Sequence, residues 1–283
     1  QQQLNRLGLD FIDYYWLHNV GTASYAVAQR LGAFEFVRKK KEQGKVGHIG
    51  FSFHDRADLL DRVLMEHPEM EFVQLQLNYL DWEDTNVQAR LCYEAAIRHG
   101  KQVMVMEPVK GGTLASLPPQ AKELLEQYRP GLSPAGWALL FAASRKEVAM
   151  VLSGMSDRQQ MGENLLVMEN QPPLTAREEQ TLLQVAEILR EKIAIPCTAC
   201  RYCVAGCPKH IAIPDYFSLY TSLRRFGPEQ WGNVSAYYNN LTQTHGGASD
   251  CVGCGACEAH CPQHLPIREH LHQVAVALER DEN

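Results

Sequence analysis

Eight of the nine cysteines in this chain fall into two runs that share one spacing. Each run reads C-x2-C-x2-C-x3-C-P, and the two runs end at Pro208 and Pro262. This spacing is typical of proteins that hold two [4Fe–4S] clusters, in which the fourth cysteine of each run ligates the cluster of the other run. The pattern therefore predicts cluster I on Cys197, Cys200, Cys203 and Cys261. It predicts cluster II on Cys251, Cys254, Cys257 and Cys207.

Two other uses of closely spaced cysteines stay open from the sequence. Paired C-x2-C units can form a four-cysteine zinc site, and cysteines of secreted proteins form disulfides. Zinc leaves the third C-x2 step and the fourth Cys-Pro of each run unexplained, and nothing in the sequence resembles a signal peptide. The ninth cysteine, Cys92, lies in the helical pattern VQARLCYEAAIRHG and is predicted to be a small buried apolar residue.

The composition excludes some partners. Apolar residues make up 45% of the 283 residues and charged residues 21%, which is ordinary for a globular protein. The net charge of −6 argues against nucleic acid as a partner. No apolar stretch approaches the roughly 20 residues that a membrane-spanning helix needs, so no membrane contact is predicted. Because clusters of this type favour reducing, low-oxygen conditions, we expect a cytoplasmic protein.

Upstream of the cysteine runs, short β-branched segments alternate with amphipathic helical patterns. The strand candidates are residues 10–18, 45–52, 71–78, 102–107 and 148–153. Strands that alternate with helices imply parallel βαβ units, which can build either a doubly wound sheet or a barrel. No G-x-G-x-x-G or G-x4-G-K-[ST] motif follows any strand. We therefore favour an α/β fold with about five βα units of a (β/α)8 TIM barrel, which takes about 250 residues when complete.

Capping signals mark several predicted helix starts. Ser133-Pro134 reads as an N-cap followed by the first helical residue. Thr175 and Glu178 have capping-box spacing, and so do Ser156 and Gln159. These signals predict helices that begin just after Ser133, Ser156 and Thr175.

The chain divides into three predicted parts. Residues 1–171 form the barrel part, residues 172–194 a linker and helix, and residues 195–283 a two-cluster domain. The linker helix has an apolar stripe that we expect to pack on a core, made of Leu182, Val185, Leu189 and Ile193. Two aromatic segments between the cysteine runs, DYFSLYTSLRRF and PEQWGNVSAYYNNL, have helical patterns. They favour a mostly helical cluster domain over a compact βαββαβ ferredoxin.

Five segments, taken in order, resemble strands four to eight of the aldo/keto reductase family: LNRLGLDFIDYYWLH, GKVGHIGFS, VQLQLNY, EPVKGG and SGMSDRQQMGENL. The tail, with CTACRYCVAGCP and CVGCGACEAHCP, is similar to that of the family's iron–sulfur subgroup. The resemblance covers essentially the whole chain. It implies a TIM barrel that reduces a small carbonyl substrate with NAD(P)H, and a chain that begins within the barrel and lacks the first three βα units.

The resemblance assigns roles to residues at strand ends, where the active sites of such barrels lie. His18 matches the family's active-site histidine, which orients and polarises the carbonyl, while Ser52 and Gln76 match residues that hold the nicotinamide carboxamide. The residues that match the grip on the adenosine phosphate are Gly154, Ser156, Gln160, Glu163 and Asn164. A hydrogen-bonded core histidine, a buried amide and an ordinary capped helix are the structural alternatives.

The same loop bears on the choice of nucleotide. Gly154 and Gln160 stand where NADPH-specific members of the family carry basic side chains. Without a basic partner, a 2′-phosphate loses its charge-assisted hydrogen bonds. The loop therefore slightly favours NADH over NADPH.

The sequence leaves three functions open. The first is an oxidoreductase of aldo/keto reductase type with an appended electron-transfer domain. The second is an electron-transfer or docking module whose clusters serve a ferredoxin or another redox partner. The third is an inactive fragment of a larger reductase. No residue matches the family's catalytic tyrosine or its Asp and Lys partners, and Tyr14 and Tyr15 lie within a strand, so we expect little carbonyl reductase activity.

Overall fold

The computed structural model describes residues 1–85, 87–226 and 231–279. Its parallel sheet is formed by β1 (Ile12–Val20), β2 (Val46–Phe53), β3 (Phe72–Gln76), β4 (Gln102–Met106) and β5 (Val148–Val151). The strands pair in sequence order from β1 to β5. A doubly wound sheet reverses its strand order at a switch point, whereas consecutive strands of a TIM barrel do not. The predicted set of five βα units is confirmed, and each strand lies within two residues of its predicted bounds.

Helices follow the strands and then form the C-terminal region on their own. The helices of the barrel part are α1 (Gln2–Leu7), α2 (Thr22–Arg30), α3 (Ala33–Glu42), α4 (Ala57–Glu66), α5 (Ala89–Arg98), α6 (Pro119–Glu126), α7 (Pro134–Ala143), α8 (Arg158–Asn170) and α9 (Ala176–Lys192). The C-terminal helices are α10 (Ile213–Phe226), α11 (Trp231–Thr242), α12 (Ala256–Ala259) and α13 (Ile267–Leu278). Among the described residues after 193 no strand occurs, which confirms the prediction of a mostly helical cluster domain.

The middle strands are buried and the outer strands are partly exposed. β2, β3 and β4 each have a neighbour on both sides, while β1 and β5 have a neighbour on one side. Gly50 lets β2 and β3 approach closely, because a Cβ atom at this position would lie 2.3 Å from the Phe72 carbonyl oxygen. Any larger residue at Gly50 would therefore push these two strands apart.

The helix caps predicted at Ser133 and Thr175 are confirmed. The Ser133 hydroxyl accepts a hydrogen bond from the Gly136 N–H, and Thr175 and Glu178 form a reciprocal capping box. The prediction at Ser156 is wrong, because α8 begins one residue later and its N-cap is Asp157. An aspartate accepts the same helix N–H bond and also adds a negative charge at the positive end of the helix dipole, so it competes well with the neighbouring serine.

Two separate hydrophobic cores meet near residue 194. The barrel core includes the predicted stripe of α9, whose Leu182, Val185 and Leu189 are buried. The second core begins at Ala194 and Ile195 and includes the C-terminal helices. Within the described part of the chain, no helix combines the length and the apolar character needed to cross a membrane.

Candidate iron–sulfur cavities and barrel mouth

The cysteines of the two runs surround two cavities, and each cavity draws on both runs. The first cavity is lined by Cys197, Cys200, Cys203 and Cys261. The second cavity is lined by Cys207, Cys251, Cys254 and Cys257. The structure thus groups the cysteines in the crossed sets of four that the sequence predicts, and we call these spaces cavity I and cavity II.

The two cysteine loops are a structural repeat. Ala199 and Arg201 flank Cys200 with positive φ angles of 55° and 65°, and Gly253 and Gly255 occupy the equivalent positions with φ angles of 70° and 75°. His210 and His264, each three residues after the last cysteine of its run, also share a positive φ, of 51° and 50°. Left-handed residues turn the backbone sharply, so each loop wraps three cysteines around its cavity.

The electrostatics of cavity I suit a cationic cluster. Burial, and then the charges of the neighbouring cysteines, raise the pKa of Cys197 to about 11 and that of Cys203 to about 12. Thiolates so placed repel one another unless metal ions compensate their charge. Among the described residues, no three His, Cys, Asp or Glu side chains converge closely enough to hold a single metal ion. Cysteines that surround a cavity, rather than a point, fit a multi-iron cluster better than one zinc ion.

An arginine lies beside each cavity. Arg201 lines cavity I and pairs with Asp215 at 2.9 Å, and Arg268 lines cavity II and pairs with Glu258 at 2.8 Å. The hydrogen bonds to Asp215 and Glu258 are the main cause that raises the pKa of these two guanidinium groups, and the negative charge of nearby cysteine sulfur atoms adds to it.

The loop after Cys261 docks on the C-terminal ends of β1 to β4, a surface that we call the barrel mouth. The Gln263 Nε2–H donates to Gln76 Oε1 at 2.7 Å, and the Gln76 Nε2–H donates to Gln263 Oε1 at 3.0 Å. The Lys110 ammonium donates to Gln263 Oε1 at 2.9 Å and pairs with the Asp81 carboxylate at 2.5 Å. All four side chains are more than nine-tenths buried. This network fixes the cysteine loop to the barrel, because none of its members can lose a partner without leaving a buried polar group unpaired.

The predicted residues His18 and Ser52 also lie at the barrel mouth. His18 is exposed and lies where the register of β1 shifts, two residues before the strand ends. Ser52 is buried, and its Oγ accepts a hydrogen bond from the Asn19 N–H at 2.7 Å. His54 follows β2, and its pKa is lowered to about 4 by burial and then by the charges of His18 and His264. The cysteine loop thus brings a third histidine close to His18.

The residues predicted to grip an adenosine phosphate lie together at the start of α8. They are Gly154, Ser156, Gln160, Glu163 and Asn164. The Asp157 carboxylate accepts the Gln160 N–H at 2.8 Å, and the Ser156 N–H donates to the Gln160 side chain at 2.8 Å. These two N–H groups are therefore already paired. Arg158 supplies a guanidinium at this helix start, so the expectation that this segment offers no basic partner to a 2′-phosphate is wrong.

The sequence matches two protein families. The aldo/keto reductase family matches residues 1–187 of the 283 residues. The chain belongs to the aldo/keto reductase family. The 4Fe-4S dicluster domain matches residues 196–265, so this aldo/keto reductase domain continues into an iron–sulfur domain. No curated protein is similar enough to match the chain.

Solved aldo/keto reductases share the fold. The holo and apo forms of an aldo-keto reductase from Bacillus halodurans are 25% and 26% identical to this chain, with TM-scores of 0.52 and 0.51. The matches cover 65% of this chain and 64% and 65% of those structures. An aldo/keto reductase from Brucella melitensis is 20% identical, with a TM-score of 0.50 and 65% of each chain covered. This chain therefore spans slightly less than two thirds of the length of these family members.

The docked cysteine loop already binds Gln76, the residue that the family resemblance assigns to the nicotinamide carboxamide. The two Nε2–H groups of Gln76 donate to Asp81 at 2.7 Å and to Gln263 at 3.0 Å, and its Oε1 accepts from Gln263. An amide whose hydrogens are both donated has no donor left for a nicotinamide carboxamide. The described residues therefore fit iron–sulfur clusters in both cavities, but they do not fit a nicotinamide at Gln76 while the loop is docked.

Three residues of the barrel mouth, Lys110, Asp81 and Gln263, were not predicted from the sequence. Lys110 is part of the EPVKGG segment, yet its sequence context does not reveal a buried ammonium. Asp81 and Gln263 carry no motif of their own. The one available signal was the spacing of the two runs, since Gln263 takes the place that Lys209 has in the first run.

Proposed function

We propose that this chain is an electron-transferring oxidoreductase. In it, an aldo/keto reductase barrel carries a C-terminal domain that holds two [4Fe–4S] clusters. The crossed grouping of the cysteines around two cavities is the observation that supports it. Cluster I would be held by Cys197, Cys200, Cys203 and Cys261. Cluster II would be held by Cys251, Cys254, Cys257 and Cys207. Each cluster, when bound, supplies a centre that gains or loses one electron.

The residues around the cavities differ in their exposure to solvent. Cys203 and Cys257 are buried, and the loop that carries Cys261 is held against the barrel by Gln263. At cavity II, Cys254 is exposed and the side chain of Val252 is 59% exposed. We infer that the face around Cys254 is where a ferredoxin or another redox protein docks, in a reducing compartment such as the cytoplasm.

The crossed ligation has a direct test. We expect anaerobic reconstitution with iron and sulfide to load about eight iron ions per chain, four for each cluster. The Cys207→Ser variant should then lose the same electron paramagnetic resonance signal as Cys254→Ser, and Cys261→Ser the same signal as Cys200→Ser. If Cys207→Ser instead matches Cys200→Ser, each run holds its own cluster and the crossed assignment is wrong.

Reduction of a small carbonyl substrate with NAD(P)H is the second candidate function. Membership of the aldo/keto reductase family over residues 1–187 favours it. The loop at Gly154 and Gln160 still favours NADH, although Arg158 weakens that preference. The discriminating measurement is the anaerobic absorbance of the reconstituted chain. Bleaching of the clusters by NADH or NADPH supports a coupled reductase, whereas bleaching by reduced ferredoxin alone supports the electron-transfer function.

A further inference from the structure

A cleft of about 370 Å³ lies between the barrel and the cluster domain. Its barrel wall is the loop of residues 110–116, its floor is the end of α9 with residues 193–197, and its far wall is one face of α10. The volume lies within the range of about 300–1,000 Å³ that is usual for small-molecule sites. None of the residues predicted to contact a nicotinamide nucleotide lines this cleft.

The cleft shares a wall with cavity I. Cys197, Thr198, Pro214 and Phe217 line both spaces. The approach of the two domains here is close, because a Cβ atom on Gly111, whose φ is +58°, would lie 2.5 Å from the Thr198 carbonyl oxygen. A molecule in the cleft would therefore contact Cys197, which is one of the predicted ligands of cluster I.

The cleft contains polar groups that lack partners. The Thr198 hydroxyl has no hydrogen-bond partner, although this residue is only 7% exposed, and the buried hydroxyl of Thr221 has none either. Leaving such a group unpaired costs about 1–3 kcal/mol. Ser218 and Ser222 add two more hydroxyls on the same face of α10. A ligand with hydrogen-bonding atoms at its edge would supply the missing partners after a small adjustment of these side chains.

The charge and the apolar floor of the cleft limit the chemistry of such a ligand. Lys110 is the one charged residue among the described residues that line it, and Asp81 neutralises that charge. Leu189, Ile193 and Phe217 form apolar surface beside the hydroxyls. An uncharged molecule with a flat apolar face and polar edge atoms fits this surface better than a phosphate, a carboxylate or a cation.

The neighbouring cluster limits the chemistry further. A cluster exchanges one electron at a time, whereas nicotinamides and simple carbonyls exchange a single hydride, which carries two electrons. Flavin and quinone rings can exchange single electrons, and both carry conjugated carbonyl groups at the edge of a planar ring. We propose that the cleft binds a planar, uncharged, redox-active ring of this dicarbonyl type next to cluster I. This inference rests on the proposed electron-transfer function.

Binding to the reconstituted full chain tests the inference, with iron and sulfide content measured on the same sample. Riboflavin is titrated by the quenching of its fluorescence and the quinone menadione is titrated separately by calorimetry, so that the two arms distinguish flavin from quinone. We expect saturable binding of at least one probe. Ser222→Trp, which fills the cleft, and Thr198→Val, which removes an unpaired hydroxyl, should each weaken binding on the order of tenfold.

The control is Gln180→Trp, at an exposed position of α9 outside the cleft, which should bind the probes like the parent. A chain that carries its full iron but binds neither probe overturns the inference and leaves the proposed function intact. The same holds if Ser222→Trp binds as tightly as the parent. A chain that cannot be loaded with iron overturns the proposed function, and the inference with it.

Discussion

At the scale of single residues, the cysteine loops depend on left-handed backbone positions. Gly253 has a φ of +70°, and a Cβ atom at this position would meet no atom within 4 Å. Alanine therefore fits the space, and only its backbone conformation is unfavourable. We expect Gly253→Ala to lower the free energy of unfolding of the reconstituted chain by about 1–2 kcal/mol, measured by anaerobic chemical denaturation.

A second glycine provides the matched control for this residue. Gly206 lies in the same domain, also has open space around its Cβ position and does not have a left-handed φ. Gly206→Ala should leave the stability unchanged or raise it slightly, because it reduces the entropy of the unfolded chain. Equal stability of the two variants would show that the left-handed turn at Gly253 is not required. Ala199 tolerates this conformation in the first loop, so the two loops differ in strain although their geometry is the same.

At the scale of secondary structure, the start of α9 is fixed by one ion pair. The Arg129 guanidinium donates to Glu178 at 2.6 Å, and this hydrogen bond is the main cause that lowers the pKa of Glu178 to about 2. Because the folded pKa lies below the ordinary value of 4.5, the ionised carboxylate stabilises the fold above that pH, and its contribution is lost as the pH falls toward 2. We expect Glu178→Gln to cost about 3 kcal/mol at neutral pH.

Chemical denaturation of parent and variant across a pH series checks this pH dependence. The difference in stability should be constant above about pH 5.5 and should shrink by about 1 kcal/mol at pH 4. Glu187→Gln, at an exposed position of the same helix, is the control and should change stability little. A difference for Glu178→Gln that does not change with pH would mean that packing, rather than charge, causes the loss.

At the scale of the whole molecule, local patterns were readable from the sequence and the contact between the domains was not. The strands, the Thr175–Glu178 box and the cysteine spacing depend on neighbours a few residues apart, so period and motif predict them. The bond between Gln76 and Gln263 joins residues 187 positions apart, and neither residue carries a signal for the other. The N-cap of α8 was predictable only in part. The sequence indicates a cap near residue 156, but it does not decide between Ser156 and Asp157, because both residue types are good caps.

Because Gln263 bonds to Gln76, the cysteine loop and a nicotinamide would compete for the Gln76 side chain. Gln263→Ala would free one amide hydrogen and the oxygen of Gln76, and would leave the Lys110–Asp81 pair in place. We expect this variant to bind NADH on the order of tenfold more tightly than the parent, measured by titration calorimetry on reconstituted protein. The electron paramagnetic resonance signal of cluster I should shift as well, because the loop that carries Cys261 loses its anchor on the barrel.

Lys209 offers the matched control for this variant, because it holds the equivalent position in the first cysteine run and its side chain is exposed. Lys209→Ala should change neither NADH affinity nor the cluster I signal. If Gln263→Ala alters the cluster signal but not the affinity for NADH, the barrel mouth of this chain is a docking surface for its iron–sulfur domain and not a nucleotide site. If the affinity rises as expected, undocking of one loop is enough to expose a nicotinamide contact, and the two candidate functions become alternative states of the same surface.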